Sequence, residues 1–501
     1  MISGAAQKKP WWVLVVFLAV LICVGYILTS QVVFGIGFPL DDAWIHQTYA
    51  RNLAQFGEWS FIPGQLSAGS TAPLWSVLLS IGYLLGLAPY WWTYLLGALC
   101  LAVLAITGEK WSRILDGSSP RIFPLVGIFL LGEWHLVWAA ASGMETILFG
   151  LVILAVFLFL AVRRRDWITG ALIGLSIWIR PDGLTLLGPA LFQTWLESKS
   201  WLERIKRTRD IGLPFSIGLA AYLVFNQLVS NTWLPNTFYA KQTEYAVYQH
   251  LPFLERFFSL FSLPMVGAGI FLLPGFVYFI WKSIRNRNWN VLGASMWWAG
   301  YTLIYILRLP VVYQHGRYLI PAMPVFFVLG LAGLFDSIPK LRCFPAQPTN
   351  KPGLLKRLQR SLSVGWATGV GSLWLVMLFI GAFTYAQDVA IIQTEMVTTA
   401  RWISQNTPQD ALIGAHDIGA LGFFGNRKIL DLAGLISPQV IPIIRNEPAL
   451  KVFLDQNKAD YLMTFPSWYS ELAKGATPVF TTSGKFSPDA GGENMTVYKW
   501  P

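Results

Sequence analysis

Two adjacent carboxylates, Asp41 and Asp42, follow Pro39-Leu40 in the outer stretch 37–75, and His46 and Tyr49 come one and two turns after them. Pro39 fixes its own φ and discourages helix in the residue before it, so the spacing predicts a helix that begins at the pair. On such a helix the carboxylate, the imidazole and the phenol share one face. Adjacent carboxylates raise each other's pKa, so one can act as a general base while a neutral partner donates a hydrogen bond. Helix capping accounts for the pair equally well, because Asp at a helix start accepts the free N–H groups of the first turn. Four further motifs carry groups of the same kind. They are Ser142-Gly-Met-Glu145-Thr146, Arg180-Pro-Asp182-Gly183, Leu234-Pro-Asn236-Thr-Phe-Tyr239-Ala-Lys241 and Tyr313-Gln-His315-Gly-Arg317-Tyr318-Leu-Ile-Pro321. Arg180, Lys241 and Arg317 are candidates for holding an anionic group such as a phosphate, which suits the bidentate guanidinium in particular. Pro-Asp-Gly is turn chemistry, which explains its motif except for the arginine at the entry. Arg317 stands beside a helix entrance, where free N–H groups already attract anions.

The elements that must position these groups are membrane spans. Of the 501 residues 54% are hydrophobic and only 13% are charged, against about 25% charged in a typical soluble domain. Apolar runs at 11–33, 73–87, 91–107, 122–140, 147–162, 168–179, 184–196 and 211–229 are followed by two more. Another opens at 313–321, and a last one covers 361–383. This is a polytopic helical membrane protein, with 11–33 as a retained first span rather than a signal peptide. The net charge of +11 could point to nucleic acid, but most Lys and Arg fall in short breaks at 8–9, 110–121, 163–165, 199–209, 282–287 and 340–360. That is the positive-inside pattern, so the excess charge reports topology and excludes a nucleic-acid partner. Cys23, Cys100 and Cys343 indicate neither a disulfide framework nor a metal site.

With those breaks in the cytoplasm, the outer loop 34–72 carries Asp41-Asp42 to the far face. Three full crossings before Ser142 would put the Arg163–Arg165 cluster outside, so one run is a half-span, with 73–87 the candidate. The runs at 168–179 and 184–196 are also short for a bilayer. Six cations lie outside both the cytoplasmic breaks and the terminal region: Arg51, Arg180, Lys241, Arg256, Arg308 and Arg317. These and the five histidines, His46, His135, His250, His315 and His416, fall near the outer face. A shared outer chamber is the expectation, since ionisable groups at membrane depth are costly and usually functional. Arg51 and Arg256 can instead snorkel to headgroups, Arg308 can anchor a helix end, and Glu133 with His135 can form a structural hydrogen bond. From about Tyr385 the composition changes, with strand-like runs at 411–414, 428–430, 461–464 and 495–498 and helix-like pieces at 395–405 and 448–457. That reads as a 1–384 transmembrane domain and a 385–501 extracytoplasmic α/β domain, with 347–353 a Pro-containing cytoplasmic linker inside the first.

The five motifs, in this order, resemble the GT-C superfamily of integral-membrane glycosyltransferases, and within it the bacterial AftB-like, arabinofuranosyltransferase-type group. That group also ends in an extracytoplasmic domain with motifs like His416-Asp-Ile-Gly-Ala-Leu-Gly422 and Asp431-Leu-Ala-Gly-Leu435. The resemblance implies a GT-C-like bundle of about 10–12 helices including half-spans, in a bacterial cytoplasmic membrane with a cytoplasmic N-terminus. It implies inverting transfer of a hexosyl or pentosyl group from a polyprenyl-phosphate sugar to a glycan, lipid or protein acceptor of the cell envelope. The general base would fall on Asp41 or Asp42, and a divalent metal (Mg or Mn), if bound, on the same pair. Arg180, Lys241 and Arg317 would hold the donor phosphate, with His46, Glu145, Asp182, Asn236, Tyr239, His315 and Tyr318 as further chamber residues. The chain departs from the superfamily's oligosaccharyltransferases in lacking Tyr-Trp-Trp-Asp-Tyr-Gly. No Gly-rich phosphate loop appears on the cytoplasmic side, which fits a donor carried by the membrane. A transporter or flippase of lipid-linked sugars is the main rival and would spread polar residues toward both faces. A receptor held by a membrane anchor would need only one span.

Overall fold

The computed structural model describes residues 11–116, 123–163, 165–337 and 354–501. The expectations for Lys8-Lys9, 117–121, Arg164, Cys343 and the linker at 347–353 fall outside the described residues. Among the described residues six helical stretches are long and apolar enough to cross a membrane: Trp11–Val33, Pro89–Asp116, Trp201–Ser230, Gly267–Asn286, Tyr313–Ser337 and Ser363–Asn406. Within Tyr313–Ser337 every residue from Met323 to Phe335 is buried, which is why that stretch is apolar on every side. The 73–87 run forms a helix over Pro73–Leu84 of 12 residues, about 18 Å long and too short to cross.

Three expected elements differ. The 122–140 run is not one helix but two of 8 residues, Leu125–Gly132 and Trp134–Ala141. Glu133 breaks it with an extended backbone, accepts the Leu136 N–H at 3.1 Å and pairs with His135 at 2.7 Å. The 199–209 break is not a loop, because the Trp201–Ser230 helix runs through it and Arg207 pairs with Asp166 at 2.7 Å. The last span does not stop at Phe383. Its helix, Leu354–Ile392, passes through one π-helical turn, Gln393–Val397, into Thr398–Asn406. The change in composition near Tyr385 therefore lies inside a continuous rod.

A short hairpin, β1 (Ser60–Ile62) and β2 (Gln65–Leu66), sits in the first outer loop. The C-terminal region holds a five-stranded sheet of β3 (Leu412–Ala415), β4 (Lys428–Asp431), β5 (Tyr461–Thr464), β6 (Thr477–Thr481) and β7 (Thr496–Lys499), in the order β4-β3-β5-β7-β6. β3 runs parallel to β4 and β5, while β7 is antiparallel to β5 and β6. Four strands fall within about one residue of the sequence reading, and β6 is the one it lacked. Pro478 argues against a central strand, and β6 takes the edge, where proline is tolerated. The buried Glu395 in the π-helical turn ties rod to sheet by accepting the Met495 N–H at 2.9 Å and the Thr482 hydroxyl.

Candidate active site

The predicted helix at the aspartate pair is present as Asp42–Phe56, but neither carboxylate caps it. The two neighbours point to different parts of the molecule. The Asp41 carboxylate reaches the C-terminal region, where it accepts the N–H of Gly419 at 2.7 Å and of Ala420 at 2.8 Å. It thereby caps the short helix Gly419–Phe424 rather than its own. Arg51, ten residues along the same helix, holds the other end of Gly419–Phe424 through the carbonyls of Phe423 (2.9 Å) and Gly422 (3.3 Å). Arg51 is thus no headgroup anchor. Trp44 fills the space between the two grips, packed on the rings of Phe423 and Phe424.

Asp42 faces the membrane bundle. Its Oδ2 lies 2.5 Å from Arg317 Nη1 and 3.9 Å from Lys241 Nζ. Burial alone would raise its carboxyl, yet the Arg317 and Lys241 cations outweigh that and hold it well below the usual carboxylate range. All three expected phosphate ligands converge on one ring: Arg317, Arg180 and Lys241 sit 5.0, 5.4 and 5.5 Å from the centre of Tyr318. Arg317 also donates to the Tyr318 hydroxyl at 3.1 Å. Behind this ring Arg180 pairs with Asp182 (3.2 Å) and Glu145 (3.4 Å) and donates to the Tyr305 hydroxyl (3.2 Å). Tyr305 in turn donates to Asp182 at 2.6 Å. Glu145 reaches back to His46 Nε2 at 3.5 Å, while His46 Nδ1 meets the hydroxyls of Ser76 (3.1 Å) and Ser70 (3.2 Å). The Ser142-Gly-Met-Glu turn makes this reach because Gly143 takes φ 80°. A Cβ there would stand 2.9 Å from both Ala43 Cβ and the Phe38 ring.

Asp42, His46 and Lys241 open on a small hollow of about 20 Å³, lined also by Thr71, Thr237 and Leu435. In its neighbourhood Asn236 Oδ1 and Asp417 Oδ2 are buried without a hydrogen-bond partner, while Arg317 Nη1 and Glu145 Oε2 have only their ion pairs with Asp42 and His46. Unpartnered buried groups gathered at one place mark a site that a ligand completes. Asn236 contributes through its Nδ2, which donates to the Leu435 carbonyl at 3.3 Å and binds the helix Asn236–Glu244 to the C-terminal region.

Other expected members are elsewhere. His315 pairs with Asp388 at 2.8 Å and packs between Trp134 and Trp138. Gln314, His315 and Gly316 all take left-handed backbone (φ 52°, 61° and 69°), a strained turn that sends His315 and Arg317 to opposite sides. Tyr239 packs its ring edge-on against Phe238. Tyr49 holds the outer loop through Ser67 Oγ (2.6 Å) and the Gly69 N–H (2.8 Å). His250 is exposed, and His135 stays with Glu133. The imidazoles therefore do not converge; His46 alone joins the bundle's cluster. His416, on the C-terminal side, pairs with Glu244 at 3.2 Å, and its neighbour Asp417 approaches both aspartates. Glu244 and Asp417 were not singled out by the sequence, though Asp417 lies within the quoted His416-Asp-Ile-Gly motif.

The residues do not fit a divalent ion. Both Asp41 oxygens are taken by N–H groups, Asp42 is faced by two cations, and no cluster of three or more His, Cys, Asp or Glu suited to a metal occurs among the described residues.

Comparison with known proteins agrees with this architecture. Over 97% of both chains, the fold is similar to ArnT from Cupriavidus metallidurans, solved bound to undecaprenyl phosphate (TM-score 0.58, 15% identity). The Archaeoglobus fulgidus oligosaccharyltransferase is similar over 95% of this chain and 73% of its own (TM-score 0.63, 11% identity). Its AglB complex with an inhibitory peptide and a dolichol-phosphate is similar over 95% and 74% (TM-score 0.58, 11% identity). These are GT-C glycosyltransferases, and the chain has their fold: a helical membrane bundle with a small C-terminal sheet. Residues 384–498 match the model of a domain of unknown function, DUF8728. No curated protein sequence matches the chain.

Proposed function

We propose that the protein is an inverting glycosyltransferase that moves a sugar from a polyprenyl-phosphate donor to a hydroxyl of a cell-envelope acceptor at the outer face of the membrane. Asp42 is the general base, Arg317, Lys241 and Arg180 bind the donor phosphate, and the C-terminal region lies outside the membrane with the N-terminus in the cytoplasm. The observation that carries this reading is the meeting of Asp42 with Arg317 and Lys241, with Arg180 on the same Tyr318 ring. The similar ArnT and AglB structures hold polyprenyl-type phosphates, which supports such a donor here. The arabinofuranosyltransferase-type affinity rests on the sequence motifs alone.

The geometry gives each group a step. An arriving phosphate competes for Arg317 and Lys241 and frees Asp42 from its ion pair. The acceptor hydroxyl attacks the anomeric carbon as Asp42 takes its proton. The bond from that carbon to the phosphate oxygen breaks, its electron pair leaves with the phosphate, and the fixed cations take up the growing charge. A single displacement inverts the anomeric centre. Glu145 and Asp182 keep Arg180 ionised and in place, and His46 positions Glu145. No step passes through a metal.

The test is a donor screen. Purified protein in lipid vesicles is given polyprenyl-phosphate pentoses and hexoses together with n-octyl glycoside acceptors, neutral and phosphorylated, and free polyprenyl phosphate is measured. Release from at least one donor by the wild type but not by Asp42→Asn is expected. Equal release by both, or release from none, sinks the reading.

A further inference from the structure

The split between the two aspartates places a group of the C-terminal region at the site. The Gly419–Phe424 helix is gripped at both ends by one outer-loop helix, through Asp41 and Arg51. The residue just ahead of that grip is Asp417, and its Oδ2 is buried without a hydrogen-bond partner. Asp417 stands close enough to Asp41, Asp42 and Glu244 for the carboxylates to act on one another, with His416 as its one cationic neighbour. Contact at Gly419 is tight enough to fix this register. A Cβ there would lie 2.0 Å from the Asp41 carbonyl oxygen and 2.7 Å from its carboxylate.

We propose that Asp417 is an acceptor-binding residue, held over Asp42 by the latch that Asp41 makes with Gly419 and Ala420, and that it accepts a hydrogen bond from a hydroxyl of an uncharged glycan or polyol acceptor. This rests on the glycosyltransferase reading and deepens it. The two walls of the site differ in chemistry. On the bundle side Arg317 and Lys241 offer an anion two cations. On the C-terminal side an anion would meet the carboxylates of Asp417 and Glu244, and the cations there, His416 at 3.2 Å and Arg445 at 4.0 Å, are already drawn to Glu244. A phosphorylated or carboxylated acceptor would thus be repelled where a neutral hydroxyl is received, because an unpaired carboxylate oxygen is an acceptor only. Asp41 touches no substrate in this scheme; it is a positioning residue.

The experiment uses full-length protein in vesicles, a donor from the screen above, and n-octyl glycosides as acceptor probes, each with and without a phosphate on the sugar. Neutral probes are expected to be used and phosphorylated ones not. Asp417→Ala should raise the acceptor KM about tenfold or more, the cost of a lost buried hydrogen bond, and leave polyprenyl-phosphate affinity within about twofold. Asp417→Asn, which keeps an acceptor oxygen, should recover most of the loss. Gly419→Ala and Asp41→Asn should copy the acceptor defect, and hydrogen exchange at residues 419 and 420 should speed up in Asp41→Asn. An unchanged acceptor KM in Asp417→Ala, a lost polyprenyl-phosphate affinity in that variant, or preference for phosphorylated probes overturns the proposal. A wild type that releases no lipid phosphate from any donor with any probe, neutral or phosphorylated, fails the parent reading instead, whereas release with phosphorylated probes alone fails only this proposal.

Discussion

Asp41 and Asp42 are joined by one peptide bond, yet they belong to two regions built on different principles. Asp42 enters a cluster assembled from distant membrane helices, where Arg317, Lys241, Arg180 and Tyr318 meet through side chains and charge. Asp41 enters a contact built from backbone groups, two N–H donors at the start of a short helix. Side-chain clusters of fixed charge are suited to stabilise charge that appears during a reaction. Backbone latches are suited to hold a position. One residue therefore reports on chemistry and its neighbour on docking.

Substitutions should separate the two. The largest effect is expected for Asp42→Asn, a fall in kcat of roughly 10²–10⁴ with polyprenyl-phosphate binding kept, which is the range for losing a general base. Binding should even tighten, because the change removes a competitor for Arg317 and Lys241. Weaker binding in a titration would remove Asp42 from that pairing. Next comes Arg317→Ala, expected to weaken polyprenyl-phosphate binding by about 2–3 kcal/mol, the scale of a charge-assisted contact. Arg317→Lys should restore only part of it if the contact is bidentate. Arg51→Ala should leave the chemistry intact and loosen the C-terminal grip by about 1–2 kcal/mol. Faster exchange at residues 422–424 with an unchanged kcat is the pattern to find, and an altered donor affinity would blur the distinction between the two regions.

Much of the bundle was legible because lipid imposes a simple rule. An apolar run of sufficient length is a span, and basic residues between spans mark the cytoplasmic side. The rule fails where a polar residue is satisfied inside the membrane, as at Glu133, which breaks one run into two helices while bonding to Leu136 and His135. It fails again at Tyr385, where composition shifts but backbone hydrogen bonding does not. Of the site, the three cations and Tyr318 were readable, because charge in apolar surroundings stands out in any sequence. The direction of a side chain was not. His315 and Arg317 share a motif and part company through three left-handed residues, which no periodicity announces. Glu244 comes from a segment rich in other polar residues, where one more carboxylate carries no signal until the fold buries it, and Asp417, though in the quoted His416-Asp-Ile-Gly motif, is brought near Asp42 only by tertiary docking.

The smallest effect is also the one that reads the latch directly, through pH. Burial first, and then the charge of the nearby Asp417, push Asp41 up to about 8, while burial pushes Asp417 up to about 6 against the favourable pull of His416. When the C-terminal region lifts away, both carboxyls return toward about 4. The docked state thus holds protons that the open state releases. Its advantage is complete below that ordinary value and is lost as pH rises through about 6 and then about 8. His416 acts in the same sense, since Tyr469 and Glu244 outweigh the effect of its burial and hold it protonated to higher pH. Asp42 contributes little to the change, because Arg317 and Lys241 keep it ionised throughout. Exchange protection at residues 419 and 420, corrected for intrinsic rates, should therefore fall by at least tenfold between about pH 5 and 8. Asp417→Asn should flatten that dependence while leaving the His416 contribution. Protection that instead grows with pH would mean that the ionised Asp41 carboxylate, bound by its two N–H groups, gains more from charge than it loses to burial and to Asp417.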